Sequence, residues 1–475
     1  MKVRIFFLGI LLGAALVLPG LSAQNGSIIG DSTFGLFTDD ADSFLDPNDY
    51  EGVEFDNAFI YLRGGRNGIG VDNGTSPLWG SGNRADRTVN DNGAGIQGGF
   101  ATRLRGLYLG FGFDTHLWKG EETITESDGN RADTPANPDD AITFDGAFGV
   151  LLGTGNIGAF KLTFDFEQVY LDTNTVDNGS PEETNNSGGS LLIDLGWGKN
   201  FEFKGGSLAP EIHIAYQIST YKTETKNPDG FSYVDDALFS SPLEGSRPDG
   251  FFDTMSHLII NPGAEYTSPS EAHWFGVGYA LDIGIHPATF YKPQGGSDVD
   301  WKGYDVVNAL AGQYTRGVEL TDRFALAFGG GLVLALRSSK VDYTDLDNPG
   351  EYVDFSVDPY INIGATYDFA KKPFQLYGAL QLDSSAGSDA GFYNVSYAKW
   401  SDPKEETYTH TFTPWGLSAG LGLKFSPFEN FALDIGLSEN LSYYLSDKLE
   451  YVWSWDIFNW NDHPFTAALQ ATIKF

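Results

Sequence analysis

The sequence contains no cysteine. The chain therefore has no disulfide framework and no cysteine that could carry a lipid anchor, and a thiolate zinc site is excluded. Its seven histidines show no metal-ligand spacing. We therefore predict that the protein uses neither a metal nor a cofactor.

Basic residues are also scarce, with 29 Lys and Arg against 64 Asp and Glu and a formal net charge of −35. Phosphate binding requires clustered Lys and Arg, so nucleic acid is excluded as a partner. The acidic surplus favours solvated loops, cation binding or a cation-attracting cavity.

A long apolar run occurs only at the N-terminus. Lys2 and Arg4 precede an apolar stretch from Ile5 to Leu18, and small residues lead to Ala23. This is the pattern of a signal peptide over residues 1–23. Beyond Ala23 no apolar run approaches the ~20 residues that a membrane helix requires, so a helical membrane protein is excluded.

What the chain has in quantity is glycine (59), phenylalanine (36) and tyrosine (23), a composition that favours strands and tight turns over helices. The last stretch shows how these residues are arranged. In residues 465–475, apolar and polar side chains alternate, so a strand there has one apolar and one polar face. The chain ends on the aromatic residue Phe475.

This stretch resembles the terminal strand of bacterial outer-membrane β-barrels, which closes the barrel and carries the signal read by the assembly machinery. By that resemblance Ile473 and Phe475 form the assembly signal. The same alternation recurs along the chain in sixteen candidate strands: 53–63, 95–102, 107–117, 142–152, 160–166, 191–197, 212–218, 258–266, 275–285, 305–316, 324–336, 353–367, 374–382, 415–425, 431–437 and 465–475.

Short and long connections alternate between these strands, as in single-chain outer-membrane barrels. The resemblance to that class, and to porins within it, covers residues 52–475. We predict an all-β fold, a transmembrane antiparallel up-and-down β-barrel of about 16 strands. Fourteen strands are also possible, because 53–63 and 305–316 have no secure phase. Residues 24–51 have no clear period and contain an acidic patch at 39–42, which predicts a periplasmic lead-in or a small plug.

A secreted β-sandwich or soluble barrel would also have alternating strands. Two features favour the membrane. The apolar face of most strands carries no charge, as lipid requires. The opposite face is rich in Gly, Ala, Ser, Asp and Gln, which is too polar and too small for a packed core and predicts a water-filled lumen.

The charged residues on the polar face are mainly acidic, and acidic rings favour cations in pores. The alternative is that these charges are only solvated, or paired across the wall. The predicted pore-lining residues are Asp114, Asp145, Asp165, Glu167, Asp194, Glu211, Asp282, Arg337, Asp354, Asp358, Asp383 and Asp434.

We predict an outer-membrane protein that is not an enzyme, since the one GxSxG match, at 416–420, falls inside an alternating strand. The favoured function is passive diffusion of small hydrophilic solutes, with a cation preference. One alternative is a transporter of hydrophobic compounds, resembling fatty-acid channels with an N-terminal plug. Another is a non-transporting surface barrel or adhesin. The expected partners are the lipid bilayer, the assembly machinery, and small solutes or ions; a homo-oligomer is possible by the resemblance to porins.

Overall fold

The wall of the molecule is a single closed sheet of antiparallel strands. The computed structural model describes residues 28–66, 87–89, 92–124, 139–177, 180–226, 232–235, 253–291, 299–342, 349–370, 373–383, 393–400, 406–412, 415–440 and 465–475. The predicted signal peptide, residues 1–23, lies outside these ranges.

Sixteen strands of the described residues form the complete wall. They are β1 (Ala58–Arg66), β2 (Asn92–Leu104), β3 (Leu107–Ile124), β4 (Asp139–Thr154), β5 (Gly158–Asp177), β6 (Ser180–Gly198), β7 (Gly206–Lys226), β8 (Asp253–Thr267), β9 (His273–Tyr291), β10 (Val299–Thr321), β11 (Phe324–Asp342), β12 (Pro349–Asp368), β13 (Phe374–Asp383), β14 (Gly416–Phe428), β15 (Phe431–Asn440) and β16 (Phe465–Lys474).

Each strand pairs with the next one in the chain, and β16 pairs with β1, where Phe59 lies opposite Lys474. The predicted antiparallel barrel of sixteen strands is therefore confirmed, and the count of fourteen is wrong. The two segments without a secure phase are wall strands, β1 and β10.

Shorter strands extend the wall in places. Tyr393–Trp400 pairs with the 349–357 half of β12, whereas β13 pairs with its 361–368 half. Tyr393–Trp400 in turn pairs with Glu406–Phe412. Three further short strands are Arg87–Val89, Phe201–Phe203 and Ser232–Asp235.

Large apolar side chains cover the outside of the wall. They alternate along the strands with buried residues, as the two-residue period of a strand requires, and so form a continuous apolar belt around the barrel. Representative members are Ile60, Phe100, Phe148, Leu195, Ile214, Val277, Leu310, Leu332, Ile363, Leu380, Leu421, Ile435 and Leu469. Among the described residues, no helix is long and apolar enough to cross a membrane.

The inside of the wall holds residues 28–53, which we call the N-terminal segment. It contains two short helices, α1 (Ile28–Ser32) and α2 (Asp40–Ser43), and a 3-10 turn at Tyr50–Gly52. Helix α2 begins with a capping box. The side chain of Asp39 accepts a hydrogen bond from the backbone of Ala41, and Asp42 accepts one from the backbone of Asp39.

Candidate functional site: the lumen and the N-terminal segment

The N-terminal segment begins against the last strands of the barrel. Helix α1 packs on β13 to β16, and the backbone N–H of Ile28 donates to Oε1 of Gln470 at 3.2 Å. The wall offers glycine where the helix lies closest. A side chain at Gly420 would overlap the backbone of Ser32, and one at Gly436 would overlap Ile28. These glycines permit the close approach of α1 to the wall.

The segment then reaches β11 and β12. Leu36 is buried against Gly329 and Gly364, and Nδ2 of Asn362 donates to the backbone oxygen of Phe34 at 3.0 Å. Both interactions join residues far apart in the sequence. They place the middle of the segment against the inner face of these two strands.

Phe44 continues the segment to the first strands. Its ring lies 5.5 Å from that of Phe59 and 5.1 Å from that of Tyr61, both on β1. The hydroxyl of Tyr108 on β3 donates to the backbone oxygen of Phe44 at 2.8 Å. Because these aromatic side chains are buried together, the inner face of β1 carries a small apolar core.

The last part of the segment meets β4, β6 and β7. Tyr50 packs against Gly153, and Asn48 packs against Gly198. Nδ2 of Asn48 lies 3.3 Å from Oε2 of Glu211. The segment thus contacts strands on opposite sides of the barrel, so residues 28–53 lie across the lumen. Gly153 is one residue from the end of β4, which puts these contacts near the short turns.

Two ion pairs fasten helix α2 and its cap to the wall. Nζ of Lys424 on β14 lies 3.0 Å from Oδ2 of Asp39 and 3.8 Å from Oδ2 of Asp434. Lys474 on β16 pairs with Asp40. The acidic patch of the segment is therefore matched by basic residues of the last strands. Burial raises the pKa of Asp40, and the positive charge of Lys474 opposes that effect.

The predicted pore-lining residues fall into three groups. Five are buried, namely Asp114, Asp194, Asp282, Asp383 and Asp434. Five are partly buried, namely Asp165, Glu211, Arg337, Asp354 and Asp358. Asp145 lies on β4 and Glu167 on β5, and the side chains of both lie outside the described residues.

Several of the acidic residues have a polar partner. Nδ1 of His213 lies 2.9 Å from Oδ2 of Asp194, and Nδ1 of His257 lies 2.8 Å from Oδ1 of Asp282. Asp383 accepts a hydrogen bond from Nε2 of Gln381 at 2.7 Å. The two pairs that contain histidine are functional candidates that sequence reasoning missed. The signal available was that each histidine falls on the polar phase of a strand.

The proposed assembly signal lies where the barrel closes. Ile473 is opposite Ile60 on β1 and Phe431 on β15. The backbone oxygen of Phe475 accepts from the backbone N–H of Asn57 at 2.6 Å, and its N–H donates to the oxygen of Ala58 at 2.8 Å. In the part of the chain that the structure describes, no group of three or more His, Asp or Glu side chains could hold a metal ion.

Comparison with known proteins gives structural matches only: no family model and no curated protein sequence matches the chain. The toluene transporter TodX of Pseudomonas putida is 9% identical, with a TM-score of 0.36 and 97% of both chains covered. The toluene transporter TbuX of Ralstonia pickettii is 10% identical, with a TM-score of 0.34, 95% of this chain and 99% of that chain covered.

CdiB from Acinetobacter baumannii is 9% identical, with a TM-score of 0.35 and 88% of this chain covered. The chain spans 60% of the length of CdiB. With its closed sixteen-stranded wall and apolar outer belt, the chain has the architecture of the bacterial outer-membrane β-barrel proteins.

Proposed function

We propose that the protein is an outer-membrane channel for small hydrophilic solutes, with a cation preference, and that the N-terminal segment gates it. The observation that carries this proposal is the position of residues 28–53. They lie across the lumen, in contact with β6 and β7 on one side and with β14 and β15 on the other. A lumen filled in this way passes solute only when the segment moves or leaves a gap beside the wall.

The polar inner face supports a hydrophilic solute. Buried Gln97, Thr163 and Gln217 line the wall together with the acidic residues. The excess of carboxylates over basic side chains supports the cation preference, since acidic rings attract cations. We expect the protein in a planar bilayer with a salt gradient to give a reversal potential whose sign is that of a cation-selective channel. A zero or anion-selective potential would contradict the preference.

A disulfide between the segment and the wall tests the gate directly. An ideal Cβ at Gly436 lies 3.6 Å from Cβ of Ile28, within the ~3.5–4.5 Å that a disulfide requires. Because the chain has no cysteine, the double variant Ile28→Cys/Gly436→Cys carries one possible pair. We expect its single-channel conductance to be lower when oxidised than after reduction.

The two single variants serve as controls, because each adds a thiol without the tether. Reduction should leave their conductance unchanged. Equal conductance of the oxidised and reduced double variant would show that movement of α1 does not control passage. Complete silence of all variants in the bilayer would instead favour a surface barrel or adhesin.

Transport of hydrophobic compounds is a second candidate, favoured by one specific observation. Strands β9 to β11 carry a cluster of buried small apolar residues on their inner face: Ala280, Ala309, Ala311, Val333 and Ala335. Such a strip gives a hydrophobic solute a favourable surface inside an otherwise polar lumen. Entry of a sugar and of an apolar dye into proteoliposomes separates the two candidates. A hydrophilic channel predicts that the sugar enters faster than the dye, whereas a transporter of hydrophobic compounds does not.

A further inference from the structure

The contact between the N-terminal segment and β7 is polar and buried. Asn48 is almost completely buried, and its Nδ2 donates to Oε2 of Glu211 at 3.3 Å and to the oxygen of Ala209 at 3.5 Å. The backbone N–H of Asn48 donates to Oδ1 of Asp46 at 2.7 Å. A titratable residue of the wall therefore holds the segment through one amide side chain.

Glu211 is the first member of a row of titratable groups. Nε2 of His213 lies 3.9 Å from Oε2 of Glu211, and Nδ1 of the same ring lies 2.9 Å from Oδ2 of Asp194. Asp194 is fully buried. Protonation of any member changes the charge felt by the next one, because electrostatic interactions are strong where water is largely excluded.

Further charged groups face this row from the neighbouring elements. The segment contributes Asp46 and Asp49, which interact with Glu265 on β8. Lys161 on β5 interacts with Glu211. Among the residues that the structure describes, the charged groups that interact around the contact are Asp42, Asp46, Asp49, Lys161, Asp194, Glu211, His213 and Glu265. Acidic groups outnumber basic ones, so full ionisation places like charges against one another across the contact.

The pKa of Asp49 shows how these like charges make docking of the segment depend on pH. Burial raises its pKa well above the usual range, and the negative charges of Asp46, Glu211 and Asp42 raise it further. When the segment leaves the wall, the pKa of Asp49 returns toward its ordinary value. Docking is therefore fully favoured at a pH below the ordinary pKa, and this contribution is lost as the pH rises through the higher pKa of the docked state.

We propose that Asp46, Asp49, Glu211, His213 and Glu265 form a proton-operated latch, which holds the N-terminal segment against β7 and β8 at acidic pH and releases it as the pH rises. The latch concerns docking of the segment. Its effect on solute passage rests on the proposed gating function. The ligand that controls docking is the proton, taken up by carboxylates that meet across the contact.

A thiol reporter measures docking without measuring conductance. Ala327 on β11 is fully buried in the cluster that contains Ile28 and Leu36, so Ala327→Cys is covered while the segment is docked. The rate of modification by a charged, membrane-impermeant thiol reagent is measured in the folded full-length protein. The measurement is repeated with Asp49→Asn added, between about pH 5 and about pH 9.

The quantity of interest is the ratio of the rate with Asp49 to the rate with Asp49→Asn, because the ionisation of the thiol cancels. We expect this ratio to increase with pH by up to about tenfold per pH unit. The increase begins at the ordinary pKa of Asp49 and ends at its higher pKa in the docked state. Glu265→Gln should change the ratio in the same direction, and it replaces Asp49→Asn in the experiment if that variant fails to fold. Asp56→Asn, at an exposed position outside the contact, should leave the reporter rate unchanged.

A second reporter, Ala309→Cys, lies in a buried cluster of β9 to β11 that contains no residue of the segment. Its ratio should not change with pH. A constant ratio at Ala327→Cys, or an equal increase at both reporters, would overturn the latch. A pH-dependent ratio together with unchanged conductance of the disulfide-locked channel would leave the latch in place and refute the gate.

Discussion

Lys424 is one of the two lysines of the wall that pair with carboxylates of the segment. Its Nζ lies between Asp39 of the segment and Asp434 of β15, and Asp434 is completely buried. A cation in this position offsets two carboxylates in a place where water is scarce. Removing it leaves both carboxylates without their partner, which is far more costly than removing an exposed ion pair.

For Lys424→Met we therefore predict a loss of about 3–5 kcal/mol in the free energy of unfolding, the cost typical of breaking a buried ion pair. Urea unfolding in detergent measures it. Lys204→Met, at an exposed turn position, is the control and should change little. Adding Asp39→Asn and Asp434→Asn to Lys424→Met should recover most of the loss; failure of this rescue would argue against the electrostatic explanation.

Gly99 lacks a side chain at a position where Phe44 of the segment packs closely against the wall. A Cβ at this position of β2 would overlap the rings of Phe44 and Tyr61. We predict that Gly99→Val displaces Phe44 and increases the single-channel conductance in a planar bilayer. Gly312→Val is the control, because its Cβ would meet no atom within 4 Å. An increase in both variants would point to a general loosening of the barrel.

The strands are the elements with the clearest physical requirement, an apolar outer face. Leu332 lies on the outside of β11 away from its ends, whereas Leu320 lies on β10 beside the short turn. We predict that Leu332→Arg lowers the free energy of unfolding by about 2–4 kcal/mol and Leu320→Arg by at most about 1 kcal/mol. Unfolding in lipid vesicles measures both. Similar losses at both positions would mean that the belt does not lie in the membrane as described.

Most of the wall could be predicted from the sequence, because alternation alone reports which face of a strand meets lipid. There is a physical reason why the alternation of β1 and β10 has no secure phase in the sequence. On β1 the inward residues Phe59 and Tyr61 are apolar, since they pack against Phe44. On β10 the inward residues Ala309 and Ala311 belong to an apolar cluster. Where both faces of a strand are apolar, periodicity loses its phase.

The arrangement of the N-terminal segment could not be predicted in the same way. Its helices are only five and four residues long, so neither has a hydrophobic period. Several of its hydrogen bonds join residues that are hundreds of positions apart, as between Asp39 and Lys424. The acidic patch was visible in the sequence, but its basic partners on β14 and β16 become neighbours only when the barrel closes.

At the scale of the whole molecule, closure and the position of the segment are connected. The pairing of β16 with β1 is the seam of the barrel. The segment contacts both sides of it, through Lys474 on β16 and Phe59 on β1. Residues 28–53 can therefore dock fully only on a closed wall. We infer that docking stabilises the seam, because it adds contacts that an open sheet lacks.

Phe475 offers the test at this scale, since its backbone makes hydrogen bonds to Asn57 and Ala58 across the seam while its side chain is exposed. We predict that deleting Phe475 reduces the fraction of folded barrel, measured by the heat-dependent shift in electrophoretic mobility. The single-channel conductance of the molecules that do fold should stay unchanged, because the inward residues of β16 remain in place. Phe428→Leu alters another exposed aromatic residue, at the end of β14, and should affect neither quantity. Normal folding with altered conductance would instead mean that the C-terminus affects solute passage through the lumen and is not needed to close the barrel.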